Sequence, residues 1–290
     1  MRFGRRLALR ALLALAVFLA VGWFGAEMYL EKRIDQEIRR KLAEVHDKVR
    51  VAWSGVDVDL LTQSLTVSGI EAAFPDGTVM TADRLRVRQA DREHFPPHFL
   101  RAEISGWTLP VVPAYLGMLA PPLRLSGYKT LTLDADVDYA FDAENKLLDL
   151  RRLHFDAHDA CELSLSMYLE NIGFGWLQAI GTSIRSGELH YVERGLAGRL
   201  SNAFAAAAQM PREQLTGQLS DALLRDAAEA RTAGQLQAAE AFTALAAFAR
   251  GPADLHIRVR PTEPIPVLYF RMGRSLAEML ELLNIEISAQ

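Results

Sequence analysis

The sequence predicts an α+β protein: a single N-terminal transmembrane helix, then an antiparallel β-rich domain that carries an Ala-rich helical segment. Three observations carry this prediction. An uncharged run from Ala11 to Ala26 follows Arg2, Arg5, Arg6 and Arg10. From Val51 onward apolar and polar residues alternate with a period of two, the pattern of a strand with one buried face. Seventeen alanines then crowd between Ala203 and Ala249, and alanine is the best helix former.

The first element is the apolar run. A spanning helix needs roughly 20 apolar residues at ~1.5 Å rise each. The run reaches that length when Leu7 to Leu9 join it and Arg10 snorkels its guanidinium to the headgroups. Trp23, Phe24 and Tyr29 then stand where an aromatic belt sits, so Arg5, Arg6, Arg10, Trp23, Phe24 and Tyr29 are the expected anchor residues. The rival is a cleaved signal peptide. Its small-x-small site, Ala20-Val21-Gly22, would cut inside the apolar run, and Phe24-Gly25-Ala26 begins with a bulky residue. An uncleaved signal-anchor is the better reading. The acid-free arginine cluster favours an N-terminus in the cytoplasm. For a Gram-negative host this means a single-pass inner-membrane protein with its body in the periplasm.

Five segments follow from the patterning: a tail and anchor over 1–30, a helical stalk over 31–50, an antiparallel sheet domain over 51–195, an Ala-rich helical segment over 196–251, and strands with a short helix over 252–290 that complete the sheet domain. Residues 27 to 49 read as a helix continuing into the stalk, on which Leu30, Ile34, Ile38, Leu42, Val45 and Val49 form one apolar stripe. In the sheet domain, Val56, Val58 and Leu60 alternate with Asp57 and Asp59, and after Thr62-Gln63 the alternation resumes at Leu65 and Val67, a hairpin. A turn at Pro75-Asp76-Gly77 leads to a strand over Val79–Val87. Phe99 to Leu109 is another strand, and 110–127, with four prolines, is a loop or short helix.

The clearest strand runs from Thr130 to Phe141. Leu131, Leu133, Ala135, Val137, Tyr139 and Phe141 point one way and Asp134, Asp136 and Asp138 the other. After an Asp142–Lys146 turn the return strands pass through Leu153, Phe155, Cys161, Leu163, Leu165 and Met167. One apolar and one polar face result. Pro211 marks a helix start, and Gly234 and Gly251 mark breaks or ends within the Ala-rich segment. Strand character returns at Leu255–Val259 and Ile265–Phe270. A short helix through Leu276, Met279 and Leu283 precedes Ile285 and Ile287.

Composition narrows the function. The four arginines before Ala26, taken from 32 basic residues, leave 28 against 36 acidic ones, a formal charge of −8 for the body. Such a surface does not favour nucleic acid, whose binding rests on phosphate neutralisation. Cys161, the single cysteine, reads as a small buried apolar residue rather than a nucleophile.

Four constellations could carry chemistry. His154, Asp156 and His158 share a strand face and could offer zinc ligands, but the face continues as Glu162, Ser164 and Ser166, an ordinary solvated surface. Asp134, Asp136 and Asp138 imitate an EF-hand opening, yet Tyr139 and Asn145 stand where that loop needs glycine and glutamate. His94-Phe-Pro-Pro-His98 reads as a surface loop, because the prolines forbid a helix that would align the histidines. The serines lack a nucleophile elbow, and no nucleotide-binding or zinc-protease motif occurs. No catalytic, cofactor or metal residues are therefore assigned, and the chain reads as non-enzymatic.

The stretch Val51-Ala-Trp-Ser-Gly-Val-Asp-Val-Asp-Leu-Leu-Thr-Gln-Ser-Leu-Thr-Val-Ser-Gly-Ile70 resembles the first hairpin after the anchor in AsmA-like envelope proteins, and the strand-turn-strand pattern through Met167 is similar in style. The resemblance spans residues 1 to 170 and implies a role in envelope maintenance, with phospholipid passing along an apolar groove. It transfers no site residues, and the Ala-rich segment departs from it.

The residues themselves offer Leu131, Leu133, Val137, Tyr139, Leu163, Leu165 and Met167 as lipid-facing candidates. Period-two patterning shows which face is apolar and not what it meets. Either the face is a groove for phospholipid or fatty acyl chains, or the Ala-rich helices close it. The expected partners are the membrane and such lipids. The alternative is a scaffold that docks on another envelope protein.

Overall fold

The computed structural model describes residues 50–91, 93–94, 97–173, 181–271 and 275–289. The expected anchor and nearly all of the stalk, residues 1–49, lie outside them. The chain forms two compact units, residues 1–88 and 89–290.

In the first unit the alternating residues form β1 (Arg50–Ala52), β2 (Gly55–Asp59), β3 (Ser64–Ala73) and most of β4 (Val79–Ala90). β3 pairs antiparallel with β1, β2 and β4. The β2–β3 turn is tied by Asp59, whose Oδ1 accepts from the amides of Leu61 (2.8 Å) and Thr62 (3.0 Å). Asp76 accepts from the Thr78 amide at 2.9 Å in the next turn. Val58, Val67, Met80 and Ala82 are buried.

In the second unit a continuous antiparallel sheet runs in the order β5 (Phe99–Pro110), β6 (Thr130–Asp142), β7 (Leu147–Ala157), β8 (Cys161–Glu170), β9 (Ser183–Glu193), β10 (Asp254–Val259), β12 (Ile285–Ala289). The two-residue β11 (Ile265–Pro266) also pairs with β9. Register matches like with like. One row across the sheet reads Ala102, Val137, Leu153, Leu165, Leu189, Ile257, Ile287; the next reads Glu103, Asp136, His154, Ser164, His190, His256, Ser288.

Strict alternation does not survive along the whole of each strand. Register slips between Ile104 and Trp107 in β5, between Leu150 and Leu153 in β7, and where Tyr168 and Leu169 of β8 meet Ser186 and Ile184 of β9. Each slip is a bulge, one extra residue that bends the strand and raises its twist. The bulges have a sorting effect. Leu150 and Leu153 are of opposite parity, and inserting one residue between them keeps both on the apolar face. Gly106, at φ +62°, occupies the β5 bulge, and its amide donates to Asp134 Oδ1 at 2.7 Å.

Two short helices, α1 (Pro113–Leu116) and α2 (Ala120–Leu125), follow β5 with a single 3₁₀ turn between them. The Ala-rich segment gives α3 (Leu196–Ala207), α4 (Arg212–Thr232) and α5 (Leu236–Arg250), and α6 (Leu276–Leu282) begins at a full capping box of Ser275 and Glu278. Ala227, Ala230, Ala238, Ala239, Ala241, Phe242 and Leu280 make a buried cluster, with Ile285 and Ile287 of β12 packed on it. Small side chains let α4 and α5 approach closely. Ser220, fully buried, donates across that contact to the Ala246 carbonyl at 3.0 Å.

Two corrections follow. The described residues form twelve antiparallel strands with few helices, so the α+β class gives way to a mostly antiparallel β protein. Among them no helix is long and apolar enough to cross a membrane, and the segment expected to do so is outside the described residues. The physical reason for the first correction is that the Ala-rich segment adds a local pack at one edge of a sheet that the period-two pattern builds almost alone.

Ala239 is 1% exposed in this cluster. Ala239→Leu should overpack it and cost about 1–3 kcal/mol in a denaturant titration, whereas Ala228→Leu, on the exposed side of α4, should stay within about 0.5 kcal/mol.

Candidate functional site

The sheet of the second unit has two chemically distinct faces. All seven lipid-facing candidates lie on the apolar one, in register with other apolar residues: Val137 faces Leu153, Leu153 faces Leu165, and Tyr139 faces Leu150, which faces Met167. Of the seven, Leu133 is buried and the other six remain partly exposed. Cover is uneven along the sheet. At one edge α5 lies over β9, where the Phe248 ring meets Tyr191 edge-on at 5.9 Å, and the buried cluster continues to β12. At one end Leu109, Val111, Ala120, Leu123, Tyr128, Ala157 and Ala160 are buried beside Leu133. Between these, Val137, Leu153, Leu165, Met167 and their neighbours on β6–β8 stay half-buried. Tyr139 belongs to this stretch, and its hydroxyl donates to the Pro97 carbonyl at 3.1 Å.

The polar face holds a depression of about 510 Å³ lined by Arg151, Arg152, Ser164, Glu188, His190 and His256, among others. The β7 bulge sends two successive arginines to this side. Arg152 pairs with Asp136 at 2.7 Å and Arg151 approaches Asp138 to 3.5 Å. His256 hydrogen-bonds Glu188, which holds that carboxyl below its usual range, and His190 lies 5.8 Å from the His256 ring. Sequence reasoning missed Arg151, Arg152, Glu188, His190 and His256. The legible signal was Leu148-x-Leu150-Arg-Arg-Leu153, where apolar parity switches across two arginines.

The constellations weighed on sequence resolve as follows. Asp134, Asp136 and Asp138 each face a donor: the Gly106 amide, Arg152 and Arg151 respectively. That leaves no calcium-like cage. His154, Asp156 and His158 do not converge. His154 hydrogen-bonds Ser164 at 2.8 Å, Asp156 is held by Arg194 at 2.7 Å, and His158 points to Asp134 at 3.4 Å. His154 and Ser164 form a base–hydroxyl pair, but Glu162 Oε1 is 3.9 Å from His154 Nε2 and is itself paired with Arg194. The amides around Ser164 belong to ladders with β7 and β9, so none is available to stabilise an oxyanion. His94 and His98 do lie in a loop, yet their rings stack at 3.9 Å beside Asp91, a meeting that the intervening prolines did not prevent.

Cys161 opens β8 opposite Ala157 and Glu193. Burial, with smaller contributions from Glu193 and Asp156, pushes its thiol up to about 11.

Residues 154–290 match the sequence model of a family described as "Uncharacterized protein". The match covers just under half of the chain. It holds β8 to β12, the Ala-rich helices and the histidines of the polar row, and overlaps the AsmA-like stretch only over residues 154–170. No curated protein matches the chain.

With its thiol at about 11, Cys161 should react with iodoacetamide at pH 8 roughly a hundredfold more slowly in the folded chain than in denaturant, where it returns to ~8.5. Equal rates in both states would place the thiol in solvent.

Proposed function

We propose that this chain is a non-enzymatic lipid-handling protein of the cell envelope, which takes acyl chains on the apolar face of β6–β8. The observation that supports the reading is the uneven cover of that face. The Ala-rich helices pack at the β9–β12 edge, and Val137, Leu153, Leu165 and Met167 on the neighbouring strands remain partly exposed. A face of that kind gains about 0.8 kcal/mol per buried methylene.

That magnitude selects the ligand class. A chain lying on an open sheet buries one side, so ten methylenes contribute at most about 4 kcal/mol, a millimolar affinity. Two chains side by side reach about 8 kcal/mol and micromolar affinity. A diacyl phospholipid fits the reading better than a single fatty acid.

A second feature points to membrane contact. Between β5 and β6 no charged residue occurs from Val111 to Leu123, and Met118 and Leu119 are 92% and 64% exposed. Arg124 and Lys129 follow directly, the arrangement of an apolar tip that enters a lipid interface with cations at headgroup level. The resemblance of residues 51–70 to AsmA-like proteins agrees with both features.

The test is native mass spectrometry and lipid extraction of the purified full chain. Phospholipid should be present near one molecule per chain. Val137→Asp and Leu165→Asp should each lower it about tenfold, because a carboxylate on the face costs upward of ~1.4 kcal/mol, with thermal unfolding little changed since both sites are partly solvated. A lipid-free chain would overturn the reading and make the exposed Met118, Leu119 and Leu125 the contact of a protein partner, the scaffold alternative.

A further inference from the structure

The loop before β5 gathers three metal-ligating side chains that neither the polar face nor the apolar face uses. Asp91 Oδ2 lies 2.8 Å from His94 Nδ1 and 3.8 Å from His98 Nδ1. One donor atom from each of the three residues falls within 4.8 Å of the other two. Among the described residues this is the one such group. Two ligands of a tetrahedral zinc ion, at bond lengths of ~2.1 Å, stand about 3.4 Å apart. The two measured separations bracket that value, and the His94 and His98 rings, now stacked at 3.9 Å, would turn so that a nitrogen of each meets the ion.

We propose that Asp91, His94 and His98 bind a divalent transition-metal ion, with zinc as the first candidate. The donor set decides the class. Two imidazoles and one carboxylate suit zinc and its first-row neighbours, whereas calcium and magnesium take oxygen ligands. Three protein ligands leave a fourth tetrahedral position for solvent or a further ligand. Exposure sets where that position opens. The Asp91 side chain is 8% exposed and forms the floor, while His94 is 51% exposed and forms the rim.

The carboxylate is fixed without help from either ring. The Glu93 amide donates to Oδ1 at 2.9 Å and the His98 amide to Oδ2 at 3.0 Å. Such donors orient a ligand and keep it ionised. His98 is placed by its neighbours on β6: the Phe141 amide donates to its carbonyl, and the Phe141 ring meets its imidazole edge-on at 5.9 Å. The spacing Asp-x-x-His-x-x-x-His therefore works without a helix. A carboxylate at the end of one strand and a histidine at the start of the next close the loop, and His94 swings in from its middle. His94 Nδ1, which now bonds Asp91, would bind the ion as the neutral ring with its proton on Nε2, so the ion replaces a hydrogen bond rather than leaving one unmade.

The experiment uses the full chain without a polyhistidine tag, stripped with chelator and titrated with Co²⁺, then with Zn²⁺ in competition. One Co²⁺ per chain should bind, with the visible absorption of a low-coordinate site bleached by Zn²⁺. His94→Gln and His98→Gln keep the loop hydrogen bonds to Asp91 that come from the backbone, and each should weaken binding by roughly a hundredfold or more, beyond the 10–100-fold typical of an outer-shell partner. His190→Gln, on the polar face, should leave it unchanged. Absence of stoichiometric binding at micromolar metal would overturn the proposal and reduce the cluster to a hydrogen-bonded loop clasp. Undiminished binding by the His94→Gln/His98→Gln chain would also overturn it. Neither result bears on lipid content, which is read separately.

Discussion

The second unit depends on one constraint: every strand must present the same kind of residue to the same side as its neighbour. In an antiparallel pair a slip of one residue turns a whole strand over. Register across seven strands meets the constraint, so Ala102, Val137, Leu153, Leu165, Leu189, Ile257 and Ile287 form one apolar row while charged and histidine residues form the next. Where the sequence breaks alternation, a bulge restores the sides. The Gly106 bulge and the Arg151–Arg152 bulge serve this purpose, and each also delivers a polar group to the polar face. Curvature and chemistry thus come from the same local insertion.

Opposite charges are paired across the polar face. Asp136, Asp138 and Asp156 meet arginines, and Glu188 meets His256 and Arg258. These pairs are partly solvated, and each contributes little stability by itself. Their larger effect is to offset like charges that the register sets directly opposite, Glu103 on Asp136 and Asp156 on Glu162. Of the three aspartates spaced as in a calcium loop, Asp136 and Asp138 are neutralised in this way and Asp134 is taken up by the Gly106 amide. The Asp91 carboxylate is held by two backbone amides and the His94 ring, and the proposed ion would take the place of the ring's bond.

Most strands were legible because period two is a direct imprint of the pleat. The β2–β3 hairpin, the Pro75-Asp76-Gly77 turn and the Thr130–Asp142 strand fall where alternation and turn residues put them. Alanine density marked the helices. Other features were not legible. Alanine helices have no strong apolar stripe, so nothing in their sequence told which part of the sheet they cover; the answer came from Phe242, Phe248 and Leu280 meeting the β9–β12 edge. The class was misjudged because a dense helical segment was weighed as half of a fold. The polar depression was not legible because the return strand is traced only from Leu153, past the parity switch between Leu150 and Leu153 that brings Arg151 and Arg152 to one side. Asp91 was missed because the histidine pair was judged by helical geometry alone, although a loop can close what a helix cannot.

The central claim is that the partly open apolar face of β6–β8 holds acyl chains. The most direct measurement is photocrosslinking of the full chain with a phospholipid that carries a diazirine in its acyl chain, mapped to single residues by tandem mass spectrometry. The account predicts adducts at alternate positions of one parity, at Val137, Tyr139, Leu163, Leu165 and Met167. Adducts confined to Met118 and Leu119, or spread over both parities of β6 and β8, would contradict it.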